Sequence, residues 1–424
     1  MRTASRSWTG IYGPGLLSPF VMTVYKFTLA FLKALAVLVL LAVAGIAALL
    51  GSMWLDHTRE TTLTMPTGPF AVGRTAYAWS DVVQLDPMAP QPGTKRELFV
   101  WIWYPAAHRL PAPKTADYLP APWRTAVEHQ RGPLINYFLT RDLSRVRTHS
   151  IDEAEVSPEQ RSYPVVLMQA GSAANLAEDL ASHGYVVVGL EEPYRSSVVV
   201  FPDGRVIKGA PQNKLADNGP AQFQLANRLI QAGSADMSFA LDQLERLNGS
   251  DPSGKFLGRL NMQRVGVFGW SIGGATALQF CHDDGRCNAA IDVDGFPLGS
   301  VVAEGVSRPI LFLMEDLSKC DADVECHQIE SNIRSIRDRT PGGRRFWITI
   351  RGANHFMFSD DGAMLKIPVL MGVLRTFGIV HINGRRQMAL TAQCISTFFD
   401  VYLQGASVSE MESLVKYPEI AYMR

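Results

Sequence analysis

The chain is predicted to adopt an α/β fold in which helices cover both faces of a mostly parallel sheet. Short runs rich in Val, Ile, Phe and Trp recur after residue 95, and helical patterns separate them. These runs are apolar at nearly every position, which is typical of parallel strands buried on both faces. With 424 residues, the chain is long enough for one large core and an additional segment.

Seven strands and two helices can be read directly from these patterns. The strands are predicted at residues 98–104, 165–168, 186–190, 265–268, 289–293, 310–313 and 346–350. One helix, from Ser234 to Leu247, begins at a residue suited to an N-cap and repeats apolar residues at helical spacing. The last helix, from Met388 to Leu403, is expected to end before Gly405. The proline-containing segment from Ala106 to Val146 is predicted to be an irregular loop over one end of the sheet.

One N-terminal segment lies outside the globular pattern. Residues from Phe27 to Trp54 are mostly apolar and uncharged after Lys33, which is long enough for a helix to cross a bilayer. Basic residues precede the segment and acidic residues follow it, so the positive-inside rule places the later residues outside the cytoplasm. A cleavable signal peptide is the alternative, but its apolar core is normally shorter. We expect a tail over 1–26, an uncleaved transmembrane anchor over 27–54 and one domain over 60–424.

Charge and cysteine content narrow the class of protein further. Lys and Arg together number 40, as do Asp and Glu, so no basic excess favours nucleic-acid binding. The five cysteines fit an exported protein, because the close pairs 281/287 and 320/326 allow two short disulfides and leave Cys394 alone. Buried thiols are the alternative. No second ligand pair accompanies Cys281, His282 and Cys287, so no zinc site is expected.

The strand at 265–268 leads into the motif Gly269-Trp270-Ser271-Ile272-Gly273, and a helix-forming stretch begins at Ala275. The flanking glycines permit a turn too tight for side chains, and such a turn holds a serine hydroxyl at the edge of a sheet. The amide of Ile272 points toward the same place from a helix N-terminus, where it can stabilise an oxyanion. The motif predicts a nucleophile elbow with Ser271 as the nucleophile, and a glycine-rich packing turn is the alternative.

A serine hydroxyl needs a base, and the base needs an acid that orients it. In the α/β-hydrolase fold these residues follow in the order serine, acid and histidine, with the histidine on the loop after the final strand. His355 occupies this position, in a glycine-containing loop directly after the strand at 346–350. We therefore predict that His355 is the base; a loop histidine bonded to backbone is the alternative.

The acid has several candidates. Asp294 ends the strand after the elbow helix, whereas Glu315 and Asp316 end the next strand, the position that most α/β-hydrolases use. Asp292 points to the same face as Asp294 but lies one pleat further back, so it should be deeper in the sheet. The residues alone leave Asp294 and Asp316 nearly equal.

The second oxyanion donor is expected on the loop after the strand that ends near Met168. That loop reads Gln169-Ala170-Gly171-Ser172. We predict that the amide of Gly171 is this donor, with an ordinary turn glycine as the alternative.

Several motifs in order resemble the platelet-activating-factor acetylhydrolase family, the plasma and type II lipases of the α/β-hydrolase fold and their bacterial relatives. The motifs are Thr67–Gly73, Trp103–Pro105, Tyr163–Val166, Leu180–Tyr185, the elbow, Asp294–Gly299 and Ile348–His355. In that family the acid precedes a Phe-Pro-Leu-Gly type segment, which implies Asp294 here. The family usually has His-Gly where this chain has Gln169-Ala170, and commonly has His where this chain has Trp270.

The resemblance implies a metal-independent serine ester hydrolase, without a cofactor, whose catalytic domain acts outside the cytoplasm on lipid-like or short-acyl esters. The membrane would be a partner only through the N-terminal helix. A cutinase-like polyester hydrolase or an amidase on the same fold is the first alternative, and a non-catalytic membrane-tethered binding protein is the second. The apolar stretch from Met364 to Met371 is interpreted as a core segment, with the wall of the acyl site or a contact with a bilayer as the alternative.

Overall fold

The computed structural model describes residues 19–108, 114–169, 171–215, 220–316, 324–342, 344–364 and 382–423. The chain divides into two compact units, with the boundary between Leu55 and Asp56. The helix α1 begins at Pro19 in the first unit and ends at His57, just past this boundary. It therefore starts before the predicted Phe27 and includes the end of the predicted tail. Every side chain from Phe20 to Leu50 is exposed. This helix is long and apolar enough to cross a membrane.

The second unit is built on a ten-stranded sheet with the order β14-β13-β12-β11-β10-β6-β7-β3-β2-β5. The strands are β1 (Thr61–Thr62), β2 (Ala71–Leu85), β3 (Lys95–Ala106), β4 (Val146–Arg147), β5 (Ser150–Asp152), β6 (Tyr163–Gln169), β7 (Val186–Glu191), β8 (Val198–Val200), β9 (Val206–Lys208), β10 (Leu260–Trp270), β11 (Cys287–Val293), β12 (Ile310–Met314), β13 (Arg345–Ile350) and β14 (Ile420–Tyr422). The helices after α1 are α2 (Ala121–Leu134), α3 (Ala174–Ser182), α4 (Pro220–Gly249), α5 (Ile272–Asp283), α6 (Val301–Glu304), α7 (Val324–Arg339), α8 (Asp361–Met364), α9 (Gly384–Phe399) and α10 (Ser409–Ser413).

The central six strands, from β13 to β7, are parallel, and β3 and β14 join them in antiparallel fashion. From β6 the chain continues to β7 on one side, whereas β10 pairs with β6 on the other side. The strand order therefore reverses between β6 and β10. In open α/β sheets, ligands bind outside the carboxyl ends of the strands at such a switch point.

Side chains alternate along each central strand between two apolar layers, one on each face. In β3, Leu98, Val100 and Ile102 pack on the face covered by α4, α5 and α7, whereas Phe99 and Trp101 pack on the opposite face with α3 and α9. Both faces are therefore buried, as the continuously apolar strands predict. The predicted α/β-hydrolase architecture is confirmed.

All seven predicted strands are present, but three other predictions need correction. The helix predicted at 234–247 extends from Pro220 to Gly249. The last helix begins at Gly384 rather than Met388 and continues into a π-helical turn that ends at the left-handed Gly405. The segment predicted to be irregular contains the helix α2, which a glycine and a proline kink near its end. Packing of Trp123 against Phe99 and Trp101 stabilises a helix that the prolines alone argue against.

Cys281 and Cys287 form a disulfide that joins the end of α5 to the start of β11, and Cys394 is a buried free thiol. Cys326 is also disulfide-bonded, whereas Cys320 lies outside the described residues. Residues 365–371 of the apolar stretch that follows the histidine loop lie outside them too.

Candidate active site

The predicted site residues lie on four loops at the same edge of the sheet. Ser271 follows β10, Asp294 follows β11, His355 follows β13, and Gly171 follows β6. These four strands are mutually parallel, so their carboxyl ends meet at one edge. The fold therefore brings together residues that are separated by more than 180 positions in the chain.

Ser271 is held in a backbone conformation that few non-glycine residues adopt. Its φ is 58° and its ψ is −126°, and it directly precedes the first residue of α5. A side chain at Gly269 would overlap the backbone of Gly273, so the turn requires the glycine. The Ser271 amide donates to the Val293 carbonyl at 2.9 Å, which fixes the turn to the neighbouring strand. This is the strained strand-to-helix turn of a nucleophile elbow.

Asp294 and His355 form a direct pair. The distance from His355 Nδ1 to Asp294 Oδ2 is 2.7 Å, and the Asp294 side chain is 3% exposed. The other carboxylate oxygen, Oδ1, accepts from the Glu315 amide at 2.7 Å. Since both oxygens are engaged, the carboxylate has a fixed orientation, and the imidazole keeps Nε2 for a further partner.

The other acid candidates have different surroundings. Asp292 is fully buried behind the elbow, where its Oδ1 accepts from the Gly295 amide at 2.9 Å. Burial raises the pKa of Asp292 well above its ordinary value. Burial, followed by the nearby charge of Asp294, raises the pKa of Glu315 to about 7. Asp316 also lies at the end of β12, but the carboxylate that contacts the imidazole is that of Asp294.

The histidine is more basic than an isolated imidazole. Burial disfavours the charged ring, but the hydrogen bond that His355 donates to Asp294 and the charges of Asp294 and Glu315 outweigh this effect. The pKa of His355 is therefore raised above its ordinary value. A more basic imidazole is a better acceptor for a serine proton at neutral pH and above.

Trp270 connects the elbow to the histidine loop. Its Nε1 donates to the His355 carbonyl at 2.9 Å, and the two rings lie 5.0 Å apart between centroids. The residue before the serine therefore holds the histidine loop in place. No local pattern predicts this contact, because it depends on the approach of two loops 85 positions apart.

Gly171, Ile272 and Ser271 line one cavity of about 550 Å³. Aromatic side chains of Tyr118 and Trp123 form part of its wall. Beneath the elbow, Gln169 Nε2 donates to the two oxygens of the buried Glu192 at 3.1 and 2.9 Å. The residues predicted to donate to the oxyanion, Gly171 and Ile272, thus line the same cavity as the serine.

A buried charged network borders this cavity and was not predicted. Arg195 pairs with Asp236 and lies 4.0 Å from Glu192, and Arg96 pairs with Asp236 at 3.2 Å. Burial raises the pKa of Asp236 to about 7, although Arg195 opposes this shift. These residues come from β3, the loop after β7 and α4, so only the folded chain assembles them.

This fold, with a strained serine directly after the parallel strand β10 and an acid–histidine pair beside it, defines the class of α/β-hydrolases. The family model described as platelet-activating factor acetylhydrolase, isoform II, matches residues 56–403. The chain therefore belongs to that family.

Individual relatives agree with this assignment. Platelet-activating factor acetylhydrolase from Bos taurus is 27% identical over 223 residues, which are 47% of this chain and 48% of that protein. The alignment thus spans about half the length of that relative. A probable 1-alkyl-2-acetylglycerophosphocholine esterase from Arthroderma benhamiae is 22% identical over 61% of this chain and 66% of its own length. A solved ferulic acid esterase from Streptomyces cinnamoneus has a TM-score of 0.69 and 27% identity, covering 86% of this chain and 100% of that structure.

Proposed function

We propose that this chain is a serine carboxylic ester hydrolase that acts on lipid-like or short-acyl esters. The observation that carries the proposal is the 2.7 Å pair between His355 and Asp294 beside a serine in the strained elbow conformation. Family membership and the esterase neighbour support the same reaction class. Strained backbone clusters at functional sites, so the conformation of this serine supports a functional role over an ordinary packing turn.

In the proposed mechanism, Ser271 attacks the ester carbonyl while His355 accepts its proton at Nε2. Asp294 holds the imidazole through Nδ1 and stabilises the imidazolium that forms. The amides of Ile272 and Gly171 stabilise the oxyanion of the tetrahedral intermediate. His355 then returns the proton to the leaving alcohol, and water releases the acyl group by the same steps.

Replacement of the nucleophile tests this mechanism. Ser271→Ala should lower the turnover of p-nitrophenyl acetate by roughly 10⁴-fold or more, because members of a triad act as a unit. Covalent labelling by a fluorophosphonate should disappear in the same variant. Retained turnover in a folded Ser271→Ala protein would contradict the mechanism.

A panel of esters tests the proposed substrate class. Relative kcat/KM on p-nitrophenyl esters of increasing chain length, a phospholipid with an sn-2 acetyl group and methyl ferulate compares the activities that the relatives' names suggest. Polyester film and a matched amide test the polyester hydrolase and amidase alternatives. Preference for long-chain esters, polyester or amide would contradict the short-acyl or lipid-like assignment.

We also propose that α1 anchors the enzyme in a membrane and that the catalytic unit lies outside the cytoplasm. The apolar helix and the basic residues before it support this topology. The disulfide between Cys281 and Cys287 supports an oxidising compartment, because such bonds are rare in the cytosol.

A further inference from the structure

Asp360 lies five residues after His355 and is buried, with 1% of its surface exposed. Its carboxylate accepts three hydrogen bonds. Tyr118 Oη and the Ala174 amide donate to Oδ2, both at 2.8 Å, and the Asn175 amide donates to Oδ1 at 2.9 Å. Ala174 and Asn175 are the first two residues of α3. Asp360 therefore caps a helix from a distant part of the chain, where α3 has no side-chain cap of its own.

The capped helix begins directly after the loop that contains Gly171. The Asp360 amide donates to the Ser172 carbonyl at 2.7 Å. The backbone of Asp360 therefore contacts this loop, and its side chain contacts the start of α3. Ser172 has a φ of 55°, a left-handed conformation that is unfavourable for a residue with a side chain. Such a conformation persists only where surrounding contacts hold it.

The other end of the loop is anchored as well, because Gln169 donates to the buried Glu192. Gly171 lies between these two anchors. Among the described residues, nothing lies within 4 Å of a Cβ placed at Gly171, so none of them would pack against a side chain at that position. Its location depends on the residues before and after it.

We propose that Asp360 is a positioning residue that holds the oxyanion loop in its working geometry and ties that loop to the histidine loop. The proposal rests on the proposed function, in which the Gly171 amide stabilises the oxyanion. Asp360 does not touch the substrate; it acts through α3 and Ser172. Loss of its carboxylate leaves the Ala174 and Asn175 amides without their acceptor and releases the start of α3.

The test compares Asp360→Ala and Asp360→Asn with Glu178→Gln in the full-length protein. Glu178 is a matched control because it is also buried on α3 and accepts from two backbone amides, His149 at 2.9 Å and Ser150 at 2.7 Å, but it does not contact the oxyanion loop. Kinetics are measured with p-nitrophenyl acetate at a temperature where circular dichroism shows each variant to be folded. Active sites are counted with a fluorophosphonate.

Asp360→Ala should lower kcat per active site by about 10- to 100-fold, because a displaced oxyanion donor weakens only the transition state. KM should change by less than about threefold, since ground-state contacts remain. Asp360→Asn keeps one acceptor oxygen and should lie between Asp360→Ala and the wild type. Glu178→Gln should lower the melting temperature without lowering kcat per site.

An unchanged kcat per active site in Asp360→Ala, or an equal loss of kcat in Glu178→Gln, would overturn the proposal. A loss that appears only in KM would overturn it too, because that result indicates a contact with the bound substrate. Failure of the proposed function is distinct from these outcomes: in that case the wild-type protein has no turnover that depends on Ser271.

Discussion

Two residues of the site, Ser271 and Asp294, have positive φ angles of 58° and 54° although neither is glycine. A positive φ at a non-glycine residue costs a conformational free energy on the order of 1 to 3 kcal/mol at each position. Hydrogen bonds from both amides to neighbouring strands, at 2.9 Å each, hold the two residues there. In both residues the strained backbone lies where a side chain projects from the end of a strand, which supports the proposed catalytic site.

The pKa of His355 predicts the pH dependence of the reaction. The imidazole must be neutral to accept a proton, so kcat/KM should fall as the pH decreases through its pKa. Because that pKa is raised, the midpoint should lie above the ordinary histidine value of about 6.5. A pH profile of kcat/KM with p-nitrophenyl acetate measures this midpoint, and a midpoint below 6 would contradict the raised pKa.

Asp294→Asn should remove the two Asp294 interactions that raise the pKa of His355, and it leaves the burial that lowers this pKa and the weaker effect of Glu315. The midpoint of the pH profile of kcat/KM should therefore move to lower pH. In addition, kcat should fall by about 10⁴-fold, because the imidazole loses its orienting carboxylate. Asp316→Asn is the matched control. It should leave both kcat and the midpoint of the pH profile of kcat/KM unchanged. If Asp316→Asn is the inactive variant instead, the acid is Asp316.

At the scale of elements, the elbow depends on how closely β10 and α5 approach. The turn between them is short enough that Gly269 and Gly273 are in backbone contact. The disulfide between Cys281 and Cys287 links the far end of α5 to β11, the strand that leads to Asp294. The helix α5 is therefore tied at both ends, to the strand that leads to Ser271 and to the strand that leads to Asp294.

Gly269→Ala should disturb this turn because the added methyl group overlaps the backbone of Gly273. We expect a loss of about 1 to 3 kcal/mol in the free energy of unfolding, typical of overpacking, together with a lower kcat. Gly285→Ala is the control, since a Cβ there meets nothing within 4 Å and should change stability by less than about 0.5 kcal/mol. Urea unfolding followed by circular dichroism compares the two variants. Equal stability of both variants would contradict the close approach.

At the scale of the whole molecule, the boundary between the two compact units lies where the family match begins. The second unit starts at Asp56, and the family model matches from residue 56. Both apolar layers of the sheet consist of residues after Asp56. The catalytic unit therefore contains its own core.

Removal of residues 1–55 should leave kcat on p-nitrophenyl acetate within about twofold of the full-length value, because no predicted site residue is removed. The full-length protein should stay in the membrane pellet after carbonate extraction, whereas the truncated protein should be soluble. Mass spectrometry of the mature N-terminus distinguishes an anchor from a cleaved signal peptide. Full-length protein that is uncleaved and freely soluble would contradict the anchor.

Local signals in the sequence were sufficient for the seven predicted strands, the elbow motif and the candidates Ser271 and His355, but not for the other strands, among them β2. Buried strands are apolar along their length, and a nucleophile elbow requires glycines at fixed spacing, so both leave a pattern within a few residues. The helix α2 was missed because its stability comes from the packing of Trp123 against β3, which overrides the local proline signal.

Contacts between distant segments were decided only by the tertiary structure. The pairing of His355 with Asp294 rather than Asp316, the support of the histidine loop by Trp270 and the capping of α3 by Asp360 each join residues 61 to 186 positions apart. No local pattern encodes such a contact, because it depends on which loops the sheet order places side by side. The sequence determined the chemical groups and the strands that carry them, and the packing of those strands determined which groups meet.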